Sequence, residues 1–433
     1  MSETPVSRVE TPQTPWQLLR TNPVFTRLWV SQILSMAGDW LSYVALLALL
    51  LELTGSGMSV SVLLLCTTLP SLLVAPLAGV VADRWDRRQI LIVADLVRML
   101  CVLGFLFLRE PHQAWLAYVL TVLLALASGF FAPAATAALP NLVTPGQLTA
   151  ANALMGATGG VMTALAAWLG GWVSAHLGRP IAFGLDAFSF LVSALVIFSV
   201  RVPFSASLPE SVHPGQVLAR SARDLHEACS HVWASRPVRA LILLKMAAGL
   251  AGGVLVLLSV MPVQVLGAGD FGVGLLYASR GLGTLAGAAL ASSLAGAGKG
   301  RTAFLAAWGL AFSGLLCLAF GRAETLYQAA FFVFGAFLGS GLQWVFSAAL
   351  LQKAVEDQLL GRVLALDNAS MTLTASVSTL LCGWGLVAWG PRIVADLVGI
   401  TVLVACLAWL GVHAWWRPLD FDSRPQRASL RSR

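Results

Sequence analysis

The residues with most capacity for chemistry are the ionisable ones inside long apolar stretches, because each costs several kcal/mol there unless it is paired or wetted. Asp39 stands about 14 residues into the stretch Phe25 to Leu51; at ~1.5 Å per residue it lies ~21 Å along a ~40 Å helix, near the middle. A bare carboxylate at that depth could take up a proton or another cation and release it in step with a ligand. Arg280 lies about nine residues into Phe271 to Leu294, ~14 Å from one end. It either receives an anionic group of a substrate or neutralises Asp39 or the carbonyls of a helix break. Asp95, Arg98, Lys245 and Asp367 fall within a few turns of the ends of their stretches, where long side chains snorkel and carboxylates cap or pair. Asp95 and Arg98, three apart on one helix face, can pair directly.

Other chemistries lack their residues. There is no Walker loop, no Ser-His-Asp set and no His-Glu-x-x-His, so the chain reads as neither an enzyme nor an ATP-driven pump on its own. The six Cys are scattered with no Cys-x-x-Cys pair, which argues against disulfides and zinc. His226 and His231, five apart, read as a solvated pair rather than a metal site. No cofactor and no metal is expected.

The elements that must position these residues follow from composition. A chain that is 58% hydrophobic and 11% charged has the lipid bilayer as its solvent. Twelve spans can be read, each near the ~20 apolar residues that cross a ~30 Å core. Six run from Phe25 to Leu51, Val60 to Val81, Gln89 to Leu108, Trp115 to Leu139, Ala150 to Leu177 and Ile181 to Val200. Six more run from Arg239 to Val265, Phe271 to Leu294, Thr302 to Phe320, Thr325 to Leu351, Val363 to Trp389 and Arg392 to Trp416. The expected organisation is a tail (1–24), a six-helix half (25–200), a linker (201–238), a second six-helix half (239–416) and a second tail (417–433). In the linker, Val217 to Trp233 mixes charged and apolar residues as a surface-lying amphipathic helix would. The polar N-terminal stretch, with Pro5, Pro12, Pro15 and Pro23, lacks the apolar core of a signal peptide, so the first span is expected to remain as an anchor.

Charge sets the orientation. Of the 27 Lys and Arg, 20 fall on the side that holds both termini and only Arg109, Arg179, Arg322 and Arg392 on the other, so both termini are expected in the cytoplasm. The net charge of +7 is topological, because the cations are scattered rather than gathered into a nucleic-acid patch. Between the second and third spans, Arg84, Arg87 and Arg88 pin a short turn to the cytoplasmic face. Gly79, one turn earlier, would let another helix approach closely, and Asp83 could face that neighbour's positive N-terminal end.

The halves look related. Ala137-Ala-Leu to Gln147-Leu148 aligns on Ala348-Ala-Leu to Gln358-Leu359 at an offset of 211, and Ser61-Val-Leu-Leu to Leu77-Ala-Gly on Gly274-Leu-Leu to Leu290-Ala at 213. Parallel repeats with a cavity between them near the bilayer midplane follow. The copy of the charged turn has decayed to Ala295-Gly296-Ala-Gly-Lys299-Gly-Arg301. Gly283-x-x-x-Gly287 and Gly335-x-x-x-Gly339 read as helix contacts.

The run Gly79-Val-Val-Ala-Asp83-Arg84-Trp85-Asp86-Arg87-Arg88 resembles the loop between helices two and three of the major facilitator superfamily. Gln32 to Tyr43, Phe131-Ala-Pro133 to Ala151-Asn152-Ala-Leu, Asp186-Ala-Phe-Ser-Phe-Leu and Leu359-Leu-Gly361-Arg362-Val363 are similar to one branch of it, the drug:proton antiporters that include macrolide-efflux proteins and the enterobactin exporter. The resemblance covers about residues 20 to 415. It implies an all-α integral membrane protein with twelve transmembrane helices in two pseudo-symmetric six-helix halves. It also implies that Gly79, Asp83, Arg84, Arg87, Arg88 and Arg362 serve gating on the cytoplasmic side. Spans one, four, seven and ten would line the cavity, through Gln32, Trp40, Tyr43, Ser128, Phe131, Thr136, Gln343 and Trp344, and few polar groups among large apolar faces suit a bulky amphipathic ligand. One departure stands out: Gly170-Gly171 is present in span five, but Ala166-Ala167 replaces the Gly-Pro usual in antiporters, removing a kink.

The expected function is a secondary, proton-coupled exporter of amphipathic small molecules such as drugs or siderophores, working by alternating access in a bacterial-type inner membrane, with a proton or other coupling ion as partner and no nucleic acid. A uniporter or importer of lipids or metal chelates, and a non-transporting receptor or scaffold, are the alternatives.

Overall fold

The computed structural model describes residues 14–200, 202, 204, 223, 226–294 and 299–415, apart from the side chains of Asp83 and Asp357 and of residues 299–300 and 412–415. The two tails, most of the linker with its expected amphipathic helix, and the decayed turn at 295–298 lie largely outside the described residues.

The described chain is helical. In order it forms α1 (Pro15–Thr21), α2 (Pro23–Thr54), α3 (Gly57–Arg84), α4 (Arg87–Gly104, extended by a 3-10 turn Phe105–Phe107), α5 (Ala114–Leu142), α6 (Pro145–His176) and α7 (Arg179–Ser199). There follow α8 (Arg236–Gly249), α9 (Val254–Val260), α10 (Gly269–Ser293), α11 (Lys299–Gly321), α12 (Leu326–Ala354), α13 (Asp357–Trp389) and α14 (Pro391–Trp415). Polar residues at the starts explain where helices begin. Thr14 with Gln17 and Thr144 with Gln147 close reciprocal caps, and Thr325 accepts from the Gln328 N–H. Gly178 and Gly390 turn the chain at φ 94° and 80° just before Pro180 and Pro391.

Among the described residues, eleven segments are long and apolar enough to cross a membrane, α8, α9 and the turns joined to them counting as one. The remaining expected span is α10, whose 25 residues suffice for a crossing but carry six glycines and Arg280. Its polarity, not its length, sets it apart. The absence of Pro at Ala166 and Ala167 leaves α6 a continuous helix of 32 residues.

The chain forms two compact units: Met1–Leu46 with Pro70–Val217, and Leu47–Leu69 with Leu218–Arg433. In the first, α4 packs on both α5 and α7. Small residues permit this closeness, since Ala94, Ala127, Ala134, Ala135 and Ala138 are all buried among Leu91, Phe131 and Ile197. In the second, α12 packs on α10 and α11, and α11 on α14. A Cβ at Gly283 or Gly287 would land on the carbonyl oxygen of Phe334 or Leu338, so α10 and α12 touch backbone to backbone, as the Gly-x-x-x-Gly spacing predicts.

The seventh span is broken. Between α8 and α9 the backbone tightens into a 3-10 turn, Leu250–Gly253, and after α9 it widens into a π turn, Met261–Val265. Backbone groups freed in this way need partners away from water. Ser378 of α13 accepts from the Gly253 N–H at 3.1 Å and donates to the Leu250 carbonyl, while the Cys382 thiol donates to the Gly253 carbonyl at 3.2 Å.

Candidate functional site

A cavity of about 300 Å³ lies within the first unit, between α2, α4, α5 and α6. Gln32, Asp39, Ser128, Phe131 and Thr136, five of the residues singled out from sequence, line it together with Arg98, Asn152, Met36 and Met155. Trp40 and Tyr43 are not in that lining; their rings meet edge to face at 5.4 Å. The Trp40 carbonyl sits against Gly170, where any Cβ would be only 2.8 Å from it.

Arg98 is the organising group. Arg98 lies eleven residues after Arg87, about three turns and ~17 Å into its helix. One guanidinium nitrogen is bonded to Asp95, as their spacing predicts. Another stands 3.7 Å from Asp39 Oδ2. The rings of Phe131 and Phe190 lie 4.4 Å from the guanidinium carbon, fixing its plane by cation–π contact. Asp95 accepts a 2.6 Å bond from Ser193 on its other oxygen, so both carboxylate oxygens are engaged.

Asp39, by contrast, keeps 36% of its side-chain surface open and borders the cavity, whereas the Arg98 side chain is only 4% exposed. Within the first unit, Arg98 is the cation that stands beside Asp39. The depth count that picks out Arg280 also picks out Arg98, nine residues after Gln89 and ~14 Å in. Arg280 makes no salt bridge among the described residues and lies 5.5 Å from the Phe337 ring centroid and 5.9 Å from that of Tyr277.

Hydrogen bonds to helix ends hold the charged turn. Asp86 caps α4 by accepting the Arg88 N–H at 3.0 Å. Arg87 donates to the carbonyls of Ala82 at 3.0 Å and Ala137 at 2.7 Å, and Arg88 to those of Ile197 at 3.3 Å and Phe198. These two cations thus tie the negative ends of α3, α5 and α7 to the start of α4. A Cβ at Gly79 would have no described atom within 4 Å. Arg84 is half-buried, and the Asp83 side chain lies outside the described residues.

In the second unit Lys245 is bonded to Asp367, with Asn368 Oδ1 at 3.3 Å and the Trp344 ring centroid 4.2 Å from the ammonium. Gln343 is buried, and its side-chain nitrogen finds no partner among the described residues. Arg362 is bonded to Glu227, in the helical stretch 226–234 that ends the linker.

The comparisons with known proteins agree with this architecture. The family model described as Major Facilitator Superfamily matches residues 28–272. Macrolide efflux protein A of Streptococcus pyogenes is 25% identical over 423 residues, covering 89% of this chain and 94% of that protein. The enterobactin exporter EntS of Citrobacter koseri is 29% identical over 284 residues, 64% of this chain and 65% of that protein. A solved bacterial homologue of the human lysosomal transporter Spinster superposes with a TM-score of 0.70 at 15% identity, over 90% of this chain and 96% of that one. With its membrane-length helices and a model match over more than half its length, the chain belongs to the Major Facilitator Superfamily and is a multi-pass membrane transporter of that all-α fold.

Proposed function

We propose that this transporter is a proton-coupled secondary exporter of amphipathic small molecules, drugs or siderophores, working by alternating access. The observation that carries the reading is Asp39, a mid-span carboxylate with a third of its surface open beside a cavity. A proton on Asp39 and a ligand in that cavity would compete for one small space. This is what exchange of proton for substrate requires. The apolar lining, with Phe131, Met36 and Met155 beside a few polar groups, suits a bulky ligand. Two relatives are named for efflux of a macrolide and export of enterobactin, which supports the outward direction.

The same reading places both termini in the cytoplasm, joins the two six-helix halves through the cytoplasmic linker, and gives gating to the turn from Gly79 to Arg88 and to Arg362. Its support is the resemblance of that turn and the distribution of the cations.

The test is transport by the purified chain in proteoliposomes, with a panel of fluorescent amphipathic drugs and an imposed pH gradient. Flux should follow the gradient and vanish with a protonophore. Asp39→Asn, a mimic of the protonated form, should lose gradient-driven flux while keeping some counterflow exchange. Gradient-driven flux at the wild-type rate in that variant would make Asp39 structural.

A further inference from the structure

The cavity shows a ligand one sign of charge. Two ionisable side chains line it, Asp39 and Arg98; the acid is 36% exposed and the base 4%. Arg98 is turned into the wall, bonded to Asp95 and held between the rings of Phe131 and Phe190. Asp95 is itself buried, as is Asp186 of α7, whose carboxylate fills the place that a Cβ on Gly38 would take. Neither supplies a positive charge. Asp39 is thus a carboxylate open to the cavity, and no cation lining that cavity is within a ligand's reach.

The uncharged lining points the same way. Thr136 spends its only donor on the Ala132 carbonyl at 3.0 Å, and Asn152 spends one of its two amide hydrogens on the Leu148 carbonyl at 3.0 Å. Both leave acceptor oxygens. Gln32, Ser35 and Ser128 can serve as donor or acceptor. The shape gives these groups an order. Asn22 at the start of α2 donates to the Leu142 carbonyl at the end of α5 at 2.8 Å, so depth along both helices can be counted from one place. Asp39 lies sixteen residues into α2, ~24 Å from that place, and Ser128 lies fourteen residues from the end of α5, ~21 Å from it. Leu139 is only three residues from it. The lining therefore runs ~16 Å along α5, from Ser128 to Leu139, with the acid at the deep end and Met36, Phe131, Met155 and Leu139 along the way.

We propose that this cleft takes an elongated organic cation, its protonated amine on Asp39 at the deep end and its apolar body laid along the methionines and Phe131 towards the α5–α6 turn. The inference rests on the reading of this cavity as the ligand site and narrows it from amphipathic compounds in general to amines. An ammonium gains a charge-assisted bond to an exposed carboxylate whose nearest cation stands 3.7 Å away and is bonded to another acid. An anionic ligand, a siderophore with free carboxylate or catecholate groups included, would meet that carboxylate with no accessible cation to offset the repulsion. The thioethers of Met36 and Met155 adapt to bodies of different outline, so the head group, more than the body, is what the site selects.

The test is fluorescence titration of the purified full chain in detergent with three dansyl probes of one body and different heads: dansylcadaverine, a cation; its N-acetyl derivative, neutral; and dansyl-aminocaproate, an anion. Mildly alkaline buffer keeps competition by protons low. The cation should bind about tenfold or more tightly than the neutral probe, and the anion most weakly. Asp39→Asn should bring the cation-to-neutral ratio below about threefold, and comparing ratios between proteins removes any difference in partition into the micelle. Met36→Lys, three residues before Asp39 on the same helix, gives the acid an internal cation and should abolish the preference as well, so either variant suffices if the other fails to fold. Asp396→Asn, in the exposed pair with Arg322, should leave the ratio at its wild-type value. Equal binding of the three probes by wild type, tighter binding of the anion, binding of none, or a full preference surviving in Asp39→Asn would each overturn the inference. A cation preference without gradient-driven flux would keep it and remove proton coupling; gradient-driven flux without a cation preference would do the reverse.

Discussion

Arg98 stands between two carboxylates of different fate: it is bonded to Asp95 on its own helix and stands 3.7 Å from Asp39 across the helix interface. The first contact is local and closed, the second long and open to a cavity.

Arg98→Gln should be strongly destabilising, by about 3–5 kcal/mol, because it strands Asp95 without its cation in a dry core. Thermal unfolding in detergent would show this as a large fall in midpoint. Arg98→Lys should recover part of the loss, retaining the charge but not the planar fork held between Phe131 and Phe190. A wild-type midpoint for Arg98→Gln would mean that the Asp95 contact is not what holds α4 in place.

The Lys245 and Asp367 pair offers the opposite experiment. Either single change, Lys245→Met or Asp367→Leu, leaves one buried charge unpaired and should cost about 3–5 kcal/mol, whereas the double variant should return close to wild-type stability. Thermal midpoints separate the outcomes. Transport retained by a stable double variant would assign the pair to structure; transport lost would give it a part in the cycle.

Two glycines should behave in contrary ways. Gly287→Ala puts a methyl group on the Leu338 carbonyl oxygen and should destabilise by about 1–3 kcal/mol as α10 is pushed from α12. Gly79→Ala meets open space and should be neutral or stabilising by up to ~1 kcal/mol through helix propensity. Equal midpoints for the two variants would contradict this packing.

The orientation has its own measurement. Reporter fusions after Arg201 and at Arg433 should both give cytoplasmic signals, as the 20-to-4 division of cations requires. An external signal from either would overturn the proposed topology.

The sequence by itself determined the class, the helices and much of the cavity wall. Apolar runs long enough to cross a bilayer are a property of consecutive residues, so they survive any packing, and polar Thr14, Thr144 and Thr325 mark where helices start. The Asp95–Arg98 pair and the Gly283–Gly287 contact were legible for the same reason, since spacing along one helix fixes which side chains share a face. Tertiary structure alone decided that Arg98 meets Asp39, that Gly38 opens a place for Asp186, that Arg87 and Arg88 close helix ends, and that Ser378 mends the break before Gly253. Each of these joins residues on different helices. Rotation and depth of one helix against another are set by side-chain packing across the interface, which hydropathy along a single chain does not encode.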